Sequence, residues 1–364
     1  MTTDRAIDLY ADLDAAARFA PSFDNGLSSH LAMTLHAQHR LGASAGQRAA
    51  FLAAYTPQLT RRDAAWADGP LANWPAHLGQ RHAFEPLRAH FAHAIGVQGL
   101  PTVLAQVLPH LLPGAGGDAF HGLIRLGHAL DAGHAPEQAQ ALAYWACCAL
   151  PLRPAQAVWP VGTLAAPAWL AGVLGLPRPV HPDLEKPRIA LRMKAWATAQ
   201  GFDAAATALA VGATPASAVA TVDALAAQAA RLYAHTANFT VLHVITSLWA
   251  LRMLLPHTPD PVQAVRTYAV AMAAGLRAAR LGAAHADLLR TPVPPPLDWA
   301  TLRAHACAST DDHAAKFLWA CEQWAGVSDD AVYLAAASAQ WRGLTAQTAP
   351  ASGADTWAAL PARP

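Results

Sequence analysis

The sequence predicts an all-α protein, and three observations support this fold class. Alanine, which has the highest helix propensity of the amino acids, is abundant along nearly the whole chain. Apolar residues recur at intervals of three and four rather than two, which is the period of a helix that buries one face. No pair of alternating segments is joined by a convincing hairpin turn. We therefore expect one large multi-helical domain, either undivided or folded as two helical lobes.

The first half of the chain is expected to be helical up to a proline-rich break. The predicted helices cover residues 4–18, 27–41, 45–54, 84–94, 100–112, 118–132 and 136–150. The stretch 151–187 is expected to be irregular, and a second helical half can begin after it. Its long uncharged part, 155–176, contains prolines and glycines that suit a broken buried segment better than a membrane span.

The second half is also predicted to be helical, with a stiff proline-rich linker at 291–296. The predicted helices cover residues 203–233 with a break near 212–215, 239–255, 261–281, 299–307, 311–325 and 329–346. Because periodicity ends near Ala349, we expect the domain to span 1–349 and residues 350–364 to form a loose tail. No repeat of fixed period indicates a solenoid.

Composition excludes several classes of function. The 364 residues are 54% hydrophobic and only 13% charged, which is enough to bury a large core. A net charge of +1 without a basic stripe argues against a nucleic-acid partner. The four cysteines form no CxxC motif, so they indicate neither a zinc knuckle nor a disulfide framework. Charges near the N-terminus argue against a signal peptide, and we expect a cytoplasmic protein that does not enter a membrane. Nothing in the sequence indicates the oligomeric state.

The most informative stretch surrounds His313 and Lys316. A Ser-Thr pair at 309–310 can cap a helix, and Asp311 and Asp312 then lie near its positive end, so both residues are expected one turn into that helix. At i and i+3 they share a face with bulky apolar neighbours. A buried lysine is costly unless it is paired or modified, and a desolvated amine can take up CO2 to become a carbamate, an oxygen ligand. The alternative is a snorkelling lysine beside a surface histidine.

Three histidines lie close together near the start of the second predicted helix. Rotation of about 100° per residue directs His36 and His39 away from the face that carries His30. Only His30 is therefore expected to face inward. Its residue type and position fit either a core histidine or a metal ligand.

A polar stripe crosses the predicted helix 118–132. His121, Arg125 and His128 share one face at i, i+4 and i+7 of an otherwise apolar helix. Gly122 and Gly127 on the same helix permit close approach of another backbone or a ligand. A polar stripe inside a core is typical of a site or of bound water.

His243 lies among strongly apolar, β-branched residues, which predicts that it is buried. A buried imidazole needs partners for both ring nitrogens, and a metal together with the hydroxyl of Thr240 or Thr246 would supply them. The His285-Ala-Asp287 sequence resembles part of a facial triad, but that motif normally works on a β-barrel. The HExxH, GxGxxG, Walker and GxSxG motifs are absent.

Taken together, four segments resemble the questin oxidase-like family. They are residues 25–44, 121–127, 239–246 and 311–316, in this order and at this spacing. Fungal members act on anthraquinones by oxygen insertion or oxidative ring cleavage. At least one type holds a non-haem iron with four histidines and a carboxylated lysine three residues after the last of them. Carried over position by position, the resemblance implies iron bound by His30, His121, His243, His313 and carbamylated Lys316, at a central site in the fold.

The resemblance implies an oxygenase that uses Fe(II) and O2 on a quinone-like or polycyclic aromatic substrate. Four imidazoles suit Fe(II), and five protein ligands leave one position open for O2. Arg125 and His128 are the residues expected to bind a phenolate oxygen or move a proton, with Trp249, Trp319 and Phe239 as apolar walls. No dinucleotide fingerprint supports a role for NADPH.

Two other classes of function remain open from the sequence. A metal hydrolase is one, because carbamylated lysines also bridge zinc pairs, although the HxH motif usual in such enzymes is absent. A non-catalytic helical protein that binds a hydrophobic ligand is the other. Oxygen uptake with reduced anthraquinones separates the oxygenase from both.

Overall fold

The computed structural model confirms the all-α class. It describes residues 3–23, 26–62, 70–328 and 331–348, with the side chains of 3–6 and 344–348 left aside. Within these ranges the strands belong to one small hairpin, in which β1 (Ser22–Phe23) pairs antiparallel with β2 (Leu27–Ser28). This hairpin corrects the helix predicted from residue 27. The predicted tail at 350–364 lies outside the described residues.

The helices of the first half follow the prediction closely. They are α1 (Thr3–Ala16), α2 (Leu31–Leu41), α3 (Ala45–Tyr55), α4 (Phe84–Gln98), α5 (Leu100–Leu111), α6 (His121–Ala132) and α7 (Ala135–Cys148). Two starts differ from those expected, because α2 follows the hairpin and α6 begins three residues later than predicted. Helix α6 starts late because the three residues before it, 118–120, have left-handed backbone.

The second half contains two helices that were not predicted. Its helices are α8 (Ala166–Gly175), α9 (Ile189–Ala197), α10 (Phe202–Thr207), α11 (Pro215–Thr236), α12 (Phe239–Leu254), α13 (Pro261–Ala278), α14 (Trp299–Ala308), α15 (Ala314–Ser328) and α16 (Val332–Thr348). The prediction of an irregular stretch at 151–187 was therefore wrong for α8. Its proline lies in the first turn, where the missing N–H costs no helical hydrogen bond, so it starts the helix rather than breaking it.

A single large apolar core joins both halves of the chain, so the fold is one domain rather than two separate lobes. A smaller apolar cluster lies between α1, α2 and α3. All four cysteines are buried and free, as expected. Of the described segments, Phe239–His257 is long and apolar enough to cross a membrane, but 72% of its most apolar part is buried inside the protein. Such burial is typical of the central helix of a globular domain.

Four helices surround the centre of the molecule. Helix α12 packs against α6 and α15, and α2 packs against the same two helices from the other side. Glycines let α6 approach its neighbours as predicted: a Cβ at Gly127 would lie 2.7 Å from the Cβ of Ala250 on α12, and one at Gly122 would lie 2.6 Å from the Cα of Trp145 on α7. The ends of these four helices carry the candidate site.

Candidate metal centre

Four imidazoles from four segments meet between α2, α6, α12 and α15. His30 precedes α2, His121 begins α6, His243 lies in the second turn of α12, and His313 precedes α15. Ring centroids are 4.5 Å apart for His30 and His121, 4.6 Å for His30 and His313, 4.7 Å for His121 and His243, and 5.2 Å for His243 and His313. The four side chains therefore form a closed ring of contacts.

The nitrogen atoms of this ring converge closely enough to bind one ion. Ligand atoms of His30, His121 and His313 lie within 4.8 Å of one another. The Nε2 atoms of His121 and His243 are 3.2 Å apart. These spacings are suitable for donors that each lie about 2 Å from a shared metal.

Backbone carbonyls fix the tautomers of His121 and His243. The Nδ1 of His243 donates to the carbonyl of Phe239 at 2.7 Å, and the Nδ1 of His121 donates to the carbonyl of Asp118. A carbonyl only accepts, so in each neutral ring the proton is on Nδ1 and Nε2 carries a lone pair. Two lone pairs therefore face each other with no proton between them. Such a pair is repulsive by itself and becomes favourable around a cation.

One carboxylate orients the other two imidazoles. The Nδ1 of His30 lies 2.9 Å from one oxygen of Asp312, and the Nδ1 of His313 lies 2.7 Å from the other. Among the described residues, the buried Nε2 of His313 has no hydrogen-bond partner. A histidine whose second nitrogen donates to a carboxylate is the usual arrangement of a metal ligand. All four rings thus have an oxygen acceptor close to Nδ1, which leaves Nε2 as the nitrogen suited to bind a metal.

The start of α15 differs from the prediction. The carboxylate of Asp311 accepts the backbone N–H groups of His313 and Ala314 at 2.8 and 3.0 Å, so this residue caps the helix. Ser309, one of the two predicted caps, instead accepts the N–H of Asp311. His313 therefore lies just before the helix rather than one turn inside it. This position turns its ring towards the other imidazoles and leaves Asp312 to bind two of them.

The late start of α6 results from three consecutive residues with left-handed backbone. Asp118, Ala119 and Phe120 have φ values of 45°, 55° and 70°. Each such non-glycine residue costs on the order of 1–3 kcal/mol, and such strain is commonly found at functional sites. The turn brings the Asp118 carbonyl onto the ring of His121. The side chain of Asp118 is anchored by Arg81 and by the hydroxyl of Tyr144 at 3.0 Å.

Lys316 is buried beside the four imidazoles, with an exposed fraction of 2%. Burial lowers its pKa to about 8, although the charges of Asp312 and Asp311 oppose this shift. Its own charge lowers the pKa values of His30, His121 and His243, so it lies within electrostatic reach of these three rings. Among the described residues, no carboxylate comes within ion-pair distance of its amine. A buried ammonium without a close partner is costly.

Burial also keeps the rings of His30, His121 and His243 neutral. Desolvation, followed by the charge of Lys316, lowers the pKa of His30 to about 3, against the opposing effect of Asp312. Desolvation and neighbouring charges hold the pKa values of His121 and His243 well below 6.5. Burial by itself would raise the pKa of Asp312, but its interactions with the rings of His30 and His313, which include a hydrogen bond from each, bring it well below its ordinary range. Neutral rings and an ionised orienting carboxylate are the protonation states that a metal site requires.

The predicted stripe on α6 separates into different roles. Arg125 donates two hydrogen bonds to the buried carboxylate of Glu137 at 2.6 and 2.9 Å, so its guanidinium is held in an ion pair. His128 bonds instead to His36 through their Nδ1 atoms at 2.8 Å. Only His121 of the three joins the ring of contacts.

Two expectations about neighbouring residues were wrong. All three histidines near α2 are buried, His36 and His39 as well as His30, because other helices cover this helix on several sides. The rotation argument had assumed a single buried face. Neither Thr240 nor Thr246 supports the ring of His243, since its Nδ1 uses a carbonyl of its own helix and Thr246 donates to backbone carbonyls.

The aromatic residues predicted as walls lie on two sides of the site. The ring of Phe239 lies 4.7 Å from that of His243 and 4.8 Å from that of His313, yet it is 43% exposed. Phe239 therefore separates the imidazoles from solvent at one edge. The ring centroids of Trp319 and His128 are 4.5 Å apart, and those of Trp319 and Trp249 are 6.5 Å apart.

Sequence reasoning missed two orienting groups. The carboxylate of Asp312 could have been suspected from its place beside His313, but its contact with His30 joins residues far apart in the chain. The carbonyl of Asp118 reaches His121 only because residues 118–120 have left-handed backbone. None of these residues is a glycine, so the sequence gives no sign of that conformation. Both groups contact the Nδ1 atoms of the imidazoles.

A comparison with protein families matches this chain over most of its length. The matching family model is described as Questin oxidase-like, and it covers residues 27–168 and 183–321. These ranges contain all five residues that the resemblance implied as ligands: His30, His121, His243, His313 and Lys316. A comparison with curated proteins finds no match.

Proposed function

The chain belongs to the questin oxidase-like family of oxygenase-type enzymes, and from this premise we propose that it is a non-haem iron-dependent oxygenase of a quinone-like or polycyclic aromatic compound. His30, His121, His243, His313 and carbamylated Lys316 would hold the iron. O2 is the proposed co-substrate. When bound, Fe(II) would supply the one-electron chemistry that lets O2 react with an organic substrate.

The observation that carries this proposal is the convergence of unprotonated Nε2 atoms. Two carbonyls and one carboxylate hold the four Nδ1 protons, so the Nε2 lone pairs of His121 and His243 face each other at 3.2 Å. Four neutral nitrogen donors suit a divalent transition metal such as Fe(II). A structural role would not require buried lone pairs to face each other.

Lys316 fits the set only after modification. As an ammonium it would repel a cation, whereas a carbamate would contribute a negative oxygen. Because burial lowers its pKa to about 8, more of the amine is neutral near neutral pH than in an exposed lysine. The neutral amine adds to the carbon of CO2 and loses a proton, which leaves a carbamate anion.

The side chains at the edge of the site support the proposed substrate class. Phe239 presents an aromatic ring that is partly exposed to solvent and in contact with two of the imidazoles. A flat aromatic substrate can stack on such a ring without losing hydrogen bonds. In this proposal His128 moves a proton, while Arg125 stabilises Glu137 and does not bind the substrate.

Metal analysis of protein purified without chelator tests the proposal. We expect about one iron per chain in the wild type, and a large loss in His313→Ala and Lys316→Ala. His93→Ala is the control. His93 is exposed, whereas the proposed ligands are buried or nearly so, and this variant should keep its metal. Unchanged metal content in both site variants would contradict the proposed centre. Oxygen uptake on addition of reduced anthraquinones would separate an oxygenase from a metal hydrolase or a binding protein.

A further inference from the structure

A second set of buried polar side chains extends from the surface into the interior on α2 and α6, two of the helices that surround the candidate metal centre. The Nδ1 atoms of His36 and His128 are 2.8 Å apart, and the Nε2 of His36 lies 2.8 Å from a carboxylate oxygen of Asp131. Both histidines are almost fully buried, whereas the Asp131 side chain is 19% exposed and is contacted by the 35% exposed Arg40. This row of three hydrogen-bonded side chains therefore has a solvent end at Asp131 and an interior end at His128.

The partners determine where each proton lies. Burial by itself would raise the pKa of Asp131, but the hydrogen bond from His36 and the charge of Arg40 bring it below its ordinary value. An ionised carboxylate only accepts, so the proton of neutral His36 is on Nε2 and its Nδ1 is an acceptor. His128 must then donate from Nδ1, which leaves a lone pair on its Nε2. The hydrogen bonds all run in one direction, from His128 to Asp131.

The interior end lies within electrostatic reach of the proposed ligand Lys316. The ring of His128 packs on Trp319, one turn after Lys316 on α15, at 4.5 Å. Burial lowers the pKa of His128 well below 6.5, and the charges of His36 and Lys316 lower it further. Glu137 on α7 also acts on the pKa of His36, which its negative charge raises. Its carboxylate is paired with Arg125. None of the three chain members is a proposed metal ligand.

We propose that His128, His36 and Asp131 form a proton relay between the metal centre and solvent. This inference rests on the proposed function and extends it. His128 takes a proton at Nε2 from a hydroxyl group at the centre and passes its Nδ1 proton to His36 Nδ1. His36 passes its Nε2 proton to Asp131, which releases it to solvent. Only N–H and O–H bonds change. Proton uptake later in the same turnover runs the steps in reverse and restores the starting tautomers.

The first test needs neither metal nor turnover. In metal-free protein labelled with nitrogen-15 histidine, ring NMR spectra report which nitrogen of each imidazole carries the proton. We expect the Nε2–H tautomer for His36 and the Nδ1–H tautomer for His128, with signals assigned from His36→Gln and His128→Gln variants. Asp131→Asn should disturb both tautomers. A proton on Nε2 of His128 in the wild type would overturn the relay.

The second test asks whether the chain carries protons during catalysis. In His36→Ala, oxygen uptake should fall about 100-fold with metal content retained, and added imidazoles should restore it to a degree that follows their pKa. Gln38→Ala, which removes another buried polar side chain from α2, should lower neither oxygen uptake nor metal content. A rate in His36→Ala that stays normal, or that no imidazole restores, would contradict the relay.

The two tests also separate failure of the relay from failure of the proposed function. If the wild type takes up no oxygen with any reduced anthraquinone, the proposed function fails. The tautomers then still decide whether the directional proton chain exists. If oxygen uptake is present but the tautomers differ from those expected, only the relay fails.

Discussion

Asp312 is the residue whose role is most specific to this site. Its two carboxylate oxygens lie against the Nδ1 atoms of His30 and His313, while Asp311 next to it caps α15. The two adjacent aspartates therefore have different roles. Asp312 orients two imidazoles, and Asp311 caps the helix. The sequence predicted acidic residues at this helix start but gave no means of assigning the two roles, because the contact with His30 depends on the packing of α2 against α15.

Replacing the two aspartates separately should separate metal affinity from stability. Asp312→Asn should weaken metal binding by about 10–100-fold, because an amide cannot accept from both rings. Asp311→Asn is the matched control. It should keep most of the metal affinity, because asparagine also caps helices. Competition with a chelator measures the affinity, and equal affinity of Asp312→Asn and wild type would contradict the role given to Asp312.

The buried imidazoles should make the metal-free protein sensitive to acid. The pKa values of His30, His121 and His243 are lowered in the folded protein, to about 3 for His30, whereas the unfolded chain ionises near 6.5. Below pH 6.5 the unfolded state therefore binds more protons, and the free energy of unfolding falls as pH falls. Above that value the contribution of these rings is fully present.

We expect each of these histidines to contribute a slope of about 1.4 kcal/mol per pH unit below pH 6.5. Denaturant unfolding at about pH 6 and about pH 5 measures the slope in metal-free protein. The His243→Gln variant, which lacks one of the titrating rings, should show a shallower slope by that amount. An identical slope in the variant and the wild type would show that His243 does not remain neutral in the folded state.

At the scale of elements, the entry into α6 determines the position of His121. The left-handed residues Asp118, Ala119 and Phe120 replace what would otherwise be the first helical turn. The apolar periodicity predicted a helix from 118 because periodicity does not report backbone handedness, and none of the three residues is a glycine. The failure to predict α8 has a different cause. Its apolar residues were visible, but its proline was interpreted as a break rather than as the start of a helix.

Relieving strain in this turn should stabilise the protein. Ala119→Gly should raise the free energy of unfolding by about 1 kcal/mol, since alanine costs roughly 1–2 kcal/mol in left-handed backbone and glycine recovers part of that cost. Ala129→Gly, within the regular part of α6, is the control and should lower stability by about 1 kcal/mol or more. Denaturant unfolding of both variants measures the difference. A destabilised Ala119→Gly would argue against strain at this position.

At the scale of the whole molecule, close helix packing holds the donors together. The helical class and most helix positions followed from periodicity, and the buried state of His243 followed from its strongly apolar, β-branched neighbours. The convergence of four distant histidines did not follow from periodicity, and it was implied only by the resemblance to a family. Packing decides this convergence, and α6 approaches α12 closely at Gly127.

Enlarging the residue at this contact should therefore affect the distant site. Gly127→Val places atoms where a Cβ would already lie 2.7 Å from Ala250, so α6 and α12 must separate. We expect a loss of roughly 1–3 kcal/mol in stability and weaker metal binding, since His121 and His243 lie on these two helices. Gly172→Ala in α8, where no atom lies within 4 Å of the new Cβ, should leave metal binding unchanged. Calorimetry and metal titration of both variants measure these effects.

The central claim is that four Nε2 atoms and a modified Lys316 surround one iron ion. A crystal structure of iron-loaded protein, with anomalous data collected on both sides of the iron absorption edge, tests it most directly. We predict one strong anomalous peak within bonding distance of His30, His121, His243 and His313, with density for a carboxylate beyond the amine of Lys316. An iron peak at other residues, or an unmodified Lys316 pointing away from the ion, would contradict the claim.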